Sequence, residues 1–83
     1  MPDINRSYTL TPEVEATVDD MFEYHQWTPE QVEAGKRVRR ALIAAVNIII
    51  ADVPPSADRT VAIRKLRDAR MDCNSAITHG GKY

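Results

Sequence analysis

The sequence predicts an all-α chain: a short N-terminal helix, then a long antiparallel helical hairpin, assembled as a homo-oligomer. Three observations predict it. Two helix starts share one chemistry, Thr11-Pro12-Glu13 and Thr28-Pro29-Glu30. The apolar residues that follow them recur at helical rather than alternating spacing. The one β-branched run that suits a strand, Ile48-Ile49-Ile50, has no second strand to pair with.

Residues 1–10 are expected to be loose or extended, and residues 11–83 to form one helical domain. The first helix begins with a capping hydroxyl on Thr11, Pro at the first helical position and a carboxylate near the positive helix end. Val14, Val18, Met21 and Phe22 give it a narrow apolar stripe as far as about Tyr24. The second start is stronger, because Gln31 stands three residues after Thr28, at capping-box spacing. Its helix is expected to run through Val32, Val38, Leu42, Ala45 and Ile49 to about Ala51. Pro54-Pro55 ends it, and Ser56 caps a third helix with Asp58 in the first turn. That helix carries Ala62, Leu66, Ala69, Cys73 and Ala76 on one face and stops near Gly80-Gly81. The short loop between the last two helices makes them antiparallel neighbours, a hairpin over about 28–79.

Oligomerisation follows from size and from one apolar run. A chain of 83 residues buries little of its unfolded surface, and small domains usually add disulfides, a metal or partner subunits. Cys73 is the single cysteine, which excludes an internal disulfide and a Cys-rich zinc site. From Ala41 to Ala51 the second helix is apolar almost all round, broken by Asn47. A helix without a polar face needs cover on several sides, more than one partner helix gives. Asn47 there suits a polar group that sets register in an interface. The run is about half the roughly 20 residues of a membrane helix. Met1-Pro2-Asp3-Ile4-Asn5-Arg6 lacks the apolar stretch of a secretory signal. A soluble, cytoplasmic protein is expected.

The net charge of −1 hides a division. Residues 1–33 hold one Arg against eight Asp or Glu, a net −7; residues 34–83 hold ten Lys or Arg against four Asp, a net +6. Such asymmetry suits an anion-binding surface or a head-to-tail contact between protomers. Duplex DNA fits poorly, since its charge density rewards a broad basic face on a basic domain.

The chemistry concentrates in one stretch. Tyr24, His25 and Trp27 stand just before the second helix, and Lys36, Arg37, Arg39 and Arg40 fall in its first turns. Aromatic faces stack on bases, and cations hold phosphates. Successive residues turn by about 100°, so Lys36, Arg39 and Arg40 share a face while Arg37 diverges. Trp27, beside the capping Thr28, suits a hydrophobic staple against Val32; Tyr24 lies farther out and is freer to present its ring. The usual fate of such a cationic cluster is a solvated face or ion pairs with acids such as Glu33, and of His25 a capped surface imidazole; against that stands a candidate nucleotide-binding set of Tyr24, His25, Lys36, Arg39 and Arg40. Arg59, Arg64, Lys65, Arg67 and Arg70 form a second basic stretch, diluted by Asp68 and Asp72 and read mostly as helix surface. No catalytic motif is visible: His25, His79 and Cys73 lack metal-ligand spacing or a nucleophile signature, and no Gly-rich phosphate loop exists. Neither an enzyme nor a cofactor or metal site is expected.

Tyr24-His25 followed by Thr28-Pro29-Glu30-Gln31-Val32-Glu33 resembles the phage anti-CBASS sponges that sequester cyclic oligonucleotides. The Pro-Pro-Ser break at 54–56, Arg59 and the run from Ala62 to Ile77 extend the likeness. A similar hairpin recurs in the anti-Thoeris sponges. The match covers about residues 23–79 and is made of spacing and hairpin texture rather than an invariant motif. It implies a homohexamer in the cytoplasm of an infected bacterial host, binding cyclic dinucleotides without cleaving them, with a second pocket type for cyclic trinucleotides. The family's base-stacking tyrosine falls on Tyr24 and its key basic contact on Arg39. The trinucleotide set would be Arg59, Asn74 and His79. This chain departs from the family at Arg67-Asp68, where a pair of acids is common, at Asp72, where a Trp is, and at the C-terminal basic position, here His79. The alternative is a small helical oligomer that docks on another protein, an adaptor or antitoxin-like module. A single-stranded nucleic-acid binder is a third reading.

Overall fold

In the computed structural model, which describes residues 10–83, the chain is three helices: α1 (Pro12–Phe22), α2 (Pro29–Asp52) and α3 (Ala57–His79). The expectation of a loose N-terminal segment lies, but for Leu10, outside the described residues. Among the described residues there is no strand. Ile48-Ile49-Ile50 is helical, as the absence of a pairing partner required.

Each helix starts where its cap chemistry puts it. The Thr11 hydroxyl accepts from Val14 N at 3.2 Å, and Pro12 opens α1. Thr28 and Gln31 form the full capping box: Gln31 N donates to the Thr28 hydroxyl at 3.2 Å, and Thr28 N donates back to Gln31 Oε1 at 2.8 Å. Two orphan donors are satisfied by one pair of side chains. Ser56 Oγ accepts from Arg59 N at 3.1 Å to start α3. Gly80, at φ 61°, ends it in the left-handed region, where a side chain would be strained.

α2 and α3 pack antiparallel, tied at both ends. At the open end, Gln31 Nε2 donates to the Ile77 carbonyl at 2.9 Å and Trp27 Nε1 donates to Thr78 Oγ1 at 2.7 Å. At the loop end, the Arg59 guanidinium donates to the carbonyls of Ile50 (3.4 Å) and Val53 (3.1 Å). Those carbonyls belong to the last turn and cap of α2, which has no basic residue of its own there. Leu42, Ala45, Val46 and Ile49 meet Ala62, Ile63, Leu66, Ala69, Cys73 and Ile77 along the seam, all partly covered. Ala76, expected on the apolar face of α3, is exposed instead; Ile77, one position on, takes its place.

Trp27 closes the open end from beside Val32, with which it lines one concavity. Its ring lies over Gly35: a Cβ there would collide with Trp27 Cζ3 and stand 2.8 Å from Cη2. The indole therefore needs the missing side chain of α2 and the hydroxyl of α3 together.

No described residue is buried. Ile43 (49 % exposed), Ile48 (61 %), Ile50 (50 %), Val61 (49 %) and Met71 (68 %) line the outside of the hairpin. Covering such half-exposed side chains is worth on the order of 1 kcal/mol each. The chain as a protomer thus has a seam but no core.

Candidate functional site

Lys36, Arg39 and Arg40 share one face of α2, as the helical turn requires. Lys36 and Arg39 line a small concavity of about 150 Å³ at the open end, with Trp27, Val32, Gly35, Arg70 and Asn74. Arg40 joins them and Ile43 around a neighbouring depression. Arg37 diverges, facing Pro29, Glu30 and Glu33. The Lys36 ammonium stands 3.5 Å from Glu33 Oε1, an exposed pair worth at most about 1 kcal/mol. That ion pair leaves Lys36 available to a phosphate.

A larger groove of about 240 Å³ runs on from Arg39 along the hairpin. Its floor is Leu42, Ile43, Val46 and Leu66, with Asn47 beside them and Arg39, Arg67 and Arg70 at its edges. Arg39 and Arg70 belong to both cavities, so a continuous cationic edge follows the apolar floor. Arg70 was read from sequence as helix surface, and its place here depends on α3 lying antiparallel to α2. The spacing of the two arginines across the seam is visible only after folding.

Tyr24 lies outside this basic concavity. It sits in the connection between α1 and α2, 85 % exposed, its ring available to a flat partner. His25, placed from sequence beside it in the same candidate set, turns the other way. Its Nε2 lies 2.8 Å from the Asp20 carbonyl and 3.6 Å from Asp20 Oδ1.

The three residues of the candidate trinucleotide set are not brought together within one protomer. Arg59 caps α2 at the loop end, whereas His79 is in the last turn of α3; twenty residues of helix separate them by about 30 Å. Asn74 instead lines the Lys36–Arg39 concavity. His79 stacks edge-on to His25, with ring centroids 5.1 Å apart, and to Tyr83 at 5.0 Å.

Asp20 is the centre of that second cluster. The Tyr83 hydroxyl donates to Asp20 Oδ2 at 2.6 Å, and Lys82 Nζ reaches the same oxygen at 3.4 Å. His79 Nδ1 stands 3.9 Å away. The Tyr83 hydrogen bond, helped by Lys82 and opposed by partial desolvation, holds the Asp20 carboxyl below the usual carboxylate range. The same bond holds the Tyr83 phenol above its usual value, since ionisation would set two anions side by side. Neither Asp20 nor Tyr83 stood out in the sequence, because the contact spans more than sixty positions.

Against known proteins, no family model, no curated protein and no solved structure matches this chain.

Proposed function

We propose that this chain is a non-catalytic sponge: a homo-oligomer, of six copies by the resemblance noted above, that captures host-made cyclic dinucleotides and so blocks CBASS anti-phage signalling. The observation that carries the reading is an incomplete site on an incomplete core. An exposed tyrosine ring and a cationic edge lie on the same chain, with apolar helix faces uncovered around them.

The protomer's basic concavities, at about 150, 240 and 320 Å³, are surface depressions on a chain with no buried residue among those described, whereas pockets for small molecules enclose most of the ligand. A second copy supplies what is missing. A cyclic dinucleotide is nearly two-fold symmetric, with two bases and two phosphates. A pocket on a dimer axis meets both halves with one set of residues, a Tyr24 ring and an Arg39 guanidinium from each chain. Lys36 and Arg40 would add charge to the same phosphates, and Arg70 extends the edge. Cyclic trinucleotides would need a three-fold axis, and Arg59, Asn74 and His79 would have to come from different copies to act together. Capture lowers free signal by mass action, with no bond broken.

Calorimetry with a cyclic dinucleotide tests this reading. Tyr24→Ala should leave the oligomer intact and weaken binding by about 5- to 150-fold for each stacked base lost. Unchanged affinity in that variant refutes the site. The alternative, a protein-docking adaptor, draws on the same uncovered apolar faces and the opposed charges of the two halves. It predicts no nucleotide binding in either form.

A further inference from the structure

The geometry points to a divalent transition-metal site, taken here as Zn²⁺, formed by Asp20, His25 and His79. Two distant parts of the chain converge there: Asp20 in the last turn of α1 with His25 in the α1–α2 connection, and His79 in the last turn of α3. One ligand atom from each residue lies within 4.8 Å of the others. His25 Nε2 is 3.6 Å from Asp20 Oδ1, and His79 Nδ1 is 3.9 Å from Asp20 Oδ2. Ligands around a tetrahedral Zn²⁺ with bonds of about 2.0–2.1 Å stand roughly 3.3 Å apart. These two separations run to different Asp20 oxygens, and the three donor atoms lie within 4.8 Å of one another, so the set must contract by up to about 1.5 Å through side-chain rotation.

The donor set also fits. Two imidazoles and one carboxylate suit a late divalent ion better than Mg²⁺ or Ca²⁺, which take oxygen ligands. His79 is the observation that separates this from an ordinary surface cluster. Its side chain is only 8 % exposed, yet its Nδ1 stands too far from the carboxylate it faces for a hydrogen bond. An ion there would ligate the His79 nitrogen, while Asp20 keeps its hydrogen bond from Tyr83. Tyr83, donating to Asp20 Oδ2 at 2.6 Å, would orient the carboxylate from behind, as the outer partners of metal ligands do. Two adjustments are required. His25 Nε2 must give up its 2.8 Å contact with the Asp20 carbonyl and bind as the deprotonated nitrogen. Lys82, whose side chain is 63 % exposed, must swing away from Asp20.

The consequence is structural. α1 meets the hairpin here through Asp20, and its own apolar residues Val14, Val18 and Phe22 remain exposed. A bound ion fastens α1 and the C-terminal residues to one point, so that binding energy becomes local folding energy. This does not depend on nucleotide capture.

The test uses tag-free full-length protein, stripped with chelator and titrated with ZnCl₂ by calorimetry, with hydrogen exchange of the α1 amides followed in parallel. One ion per chain and slower α1 exchange on loading are expected. Asp20→Asn and His79→Gln should each weaken Zn²⁺ binding by about tenfold or more and abolish the change in exchange, with circular dichroism confirming retained helix. If His79→Gln loses helix, His25→Gln supplies the same comparison. Absence of saturable binding, or binding unchanged in the folded variants, overturns the site.

Discussion

Gly35→Ala is the substitution for which local and tertiary physics predict opposite signs. Alanine in place of glycine within a helix favours folding by about 1 kcal/mol, and Gly35 is far inside α2. The added methyl, however, would collide with Trp27 Cζ3 and stand 2.8 Å from Cη2. Carbon contacts settle near 3.5–4.0 Å, so the ring must move by an ångström or more. Overpacking of this kind costs about 1–3 kcal/mol. A displaced indole also loses its 2.7 Å bond to Thr78, worth about 1 kcal/mol. The sum favours a net loss of about 1–3 kcal/mol, after the helix gain is set against it. Urea unfolding at fixed protomer concentration measures the result, since an oligomer's stability depends on concentration. Trp27 is the single tryptophan, so its emission reports the same event without labelling. A red-shifted emission with lower stability is expected. A Gly35→Ala protein more stable than the parent, with unchanged emission, refutes the packing of Trp27 over α2.

Two further predictions concern assembly and pH. Ile48→Asp should dissociate the proposed oligomer in light scattering while the isolated hairpin keeps its helicity, because Ile48 is 61 % exposed in the protomer and makes little of its own seam; an unchanged particle mass would contradict an interface through Ile48. The Asp20–Tyr83 contact should loosen at both ends of the pH scale. Asp20 has a depressed folded pKa, so its contribution is present above the unfolded carboxyl value, near 3.9, and is lost as pH falls through the folded one. Tyr83 has a raised folded pKa, so its contribution is complete below about 10 and is lost as pH rises through the folded value. Metal-free protein should show faster exchange of α1 amides in both limits and slow exchange between; a flat profile would mean that this contact does not hold α1.

Much of the fold was legible because its determinants are local. Thr11, Thr28 and Ser56 start helices through bonds to residues three positions on, and Gly80 stops one through its backbone. Pro54-Pro55 marked the hairpin turn for the same reason. The exposure of Tyr24 agrees with its reading as the aromatic farther from the cap and freer to present its ring. What failed to show was whatever two distant segments make together. Trp27 was read as folding over its own helix start beside Val32, with which it lines one concavity, but its bond to the hydroxyl of Thr78 and its place over the bare backbone of Gly35 were not foreseen. Arg59, a ligand contact by resemblance, also bonds the terminal carbonyls of α2, a role no local pattern announces. His25 and His79 fell into different candidate pockets because 54 positions separate them, while the fold sets their rings edge to face around Asp20. Periodicity identifies which face of a helix is apolar; it does not say which polar groups two helix ends will share.

Native mass spectrometry of the purified protein, titrated with a cyclic dinucleotide, tests the central claim most directly, because one spectrum reports both the number of copies and the ligands held. A hexamer that gains mass in steps of one intact cyclic dinucleotide, one for each two-fold pocket, is the predicted result. A monomer, or an oligomer whose mass does not change with ligand, contradicts it.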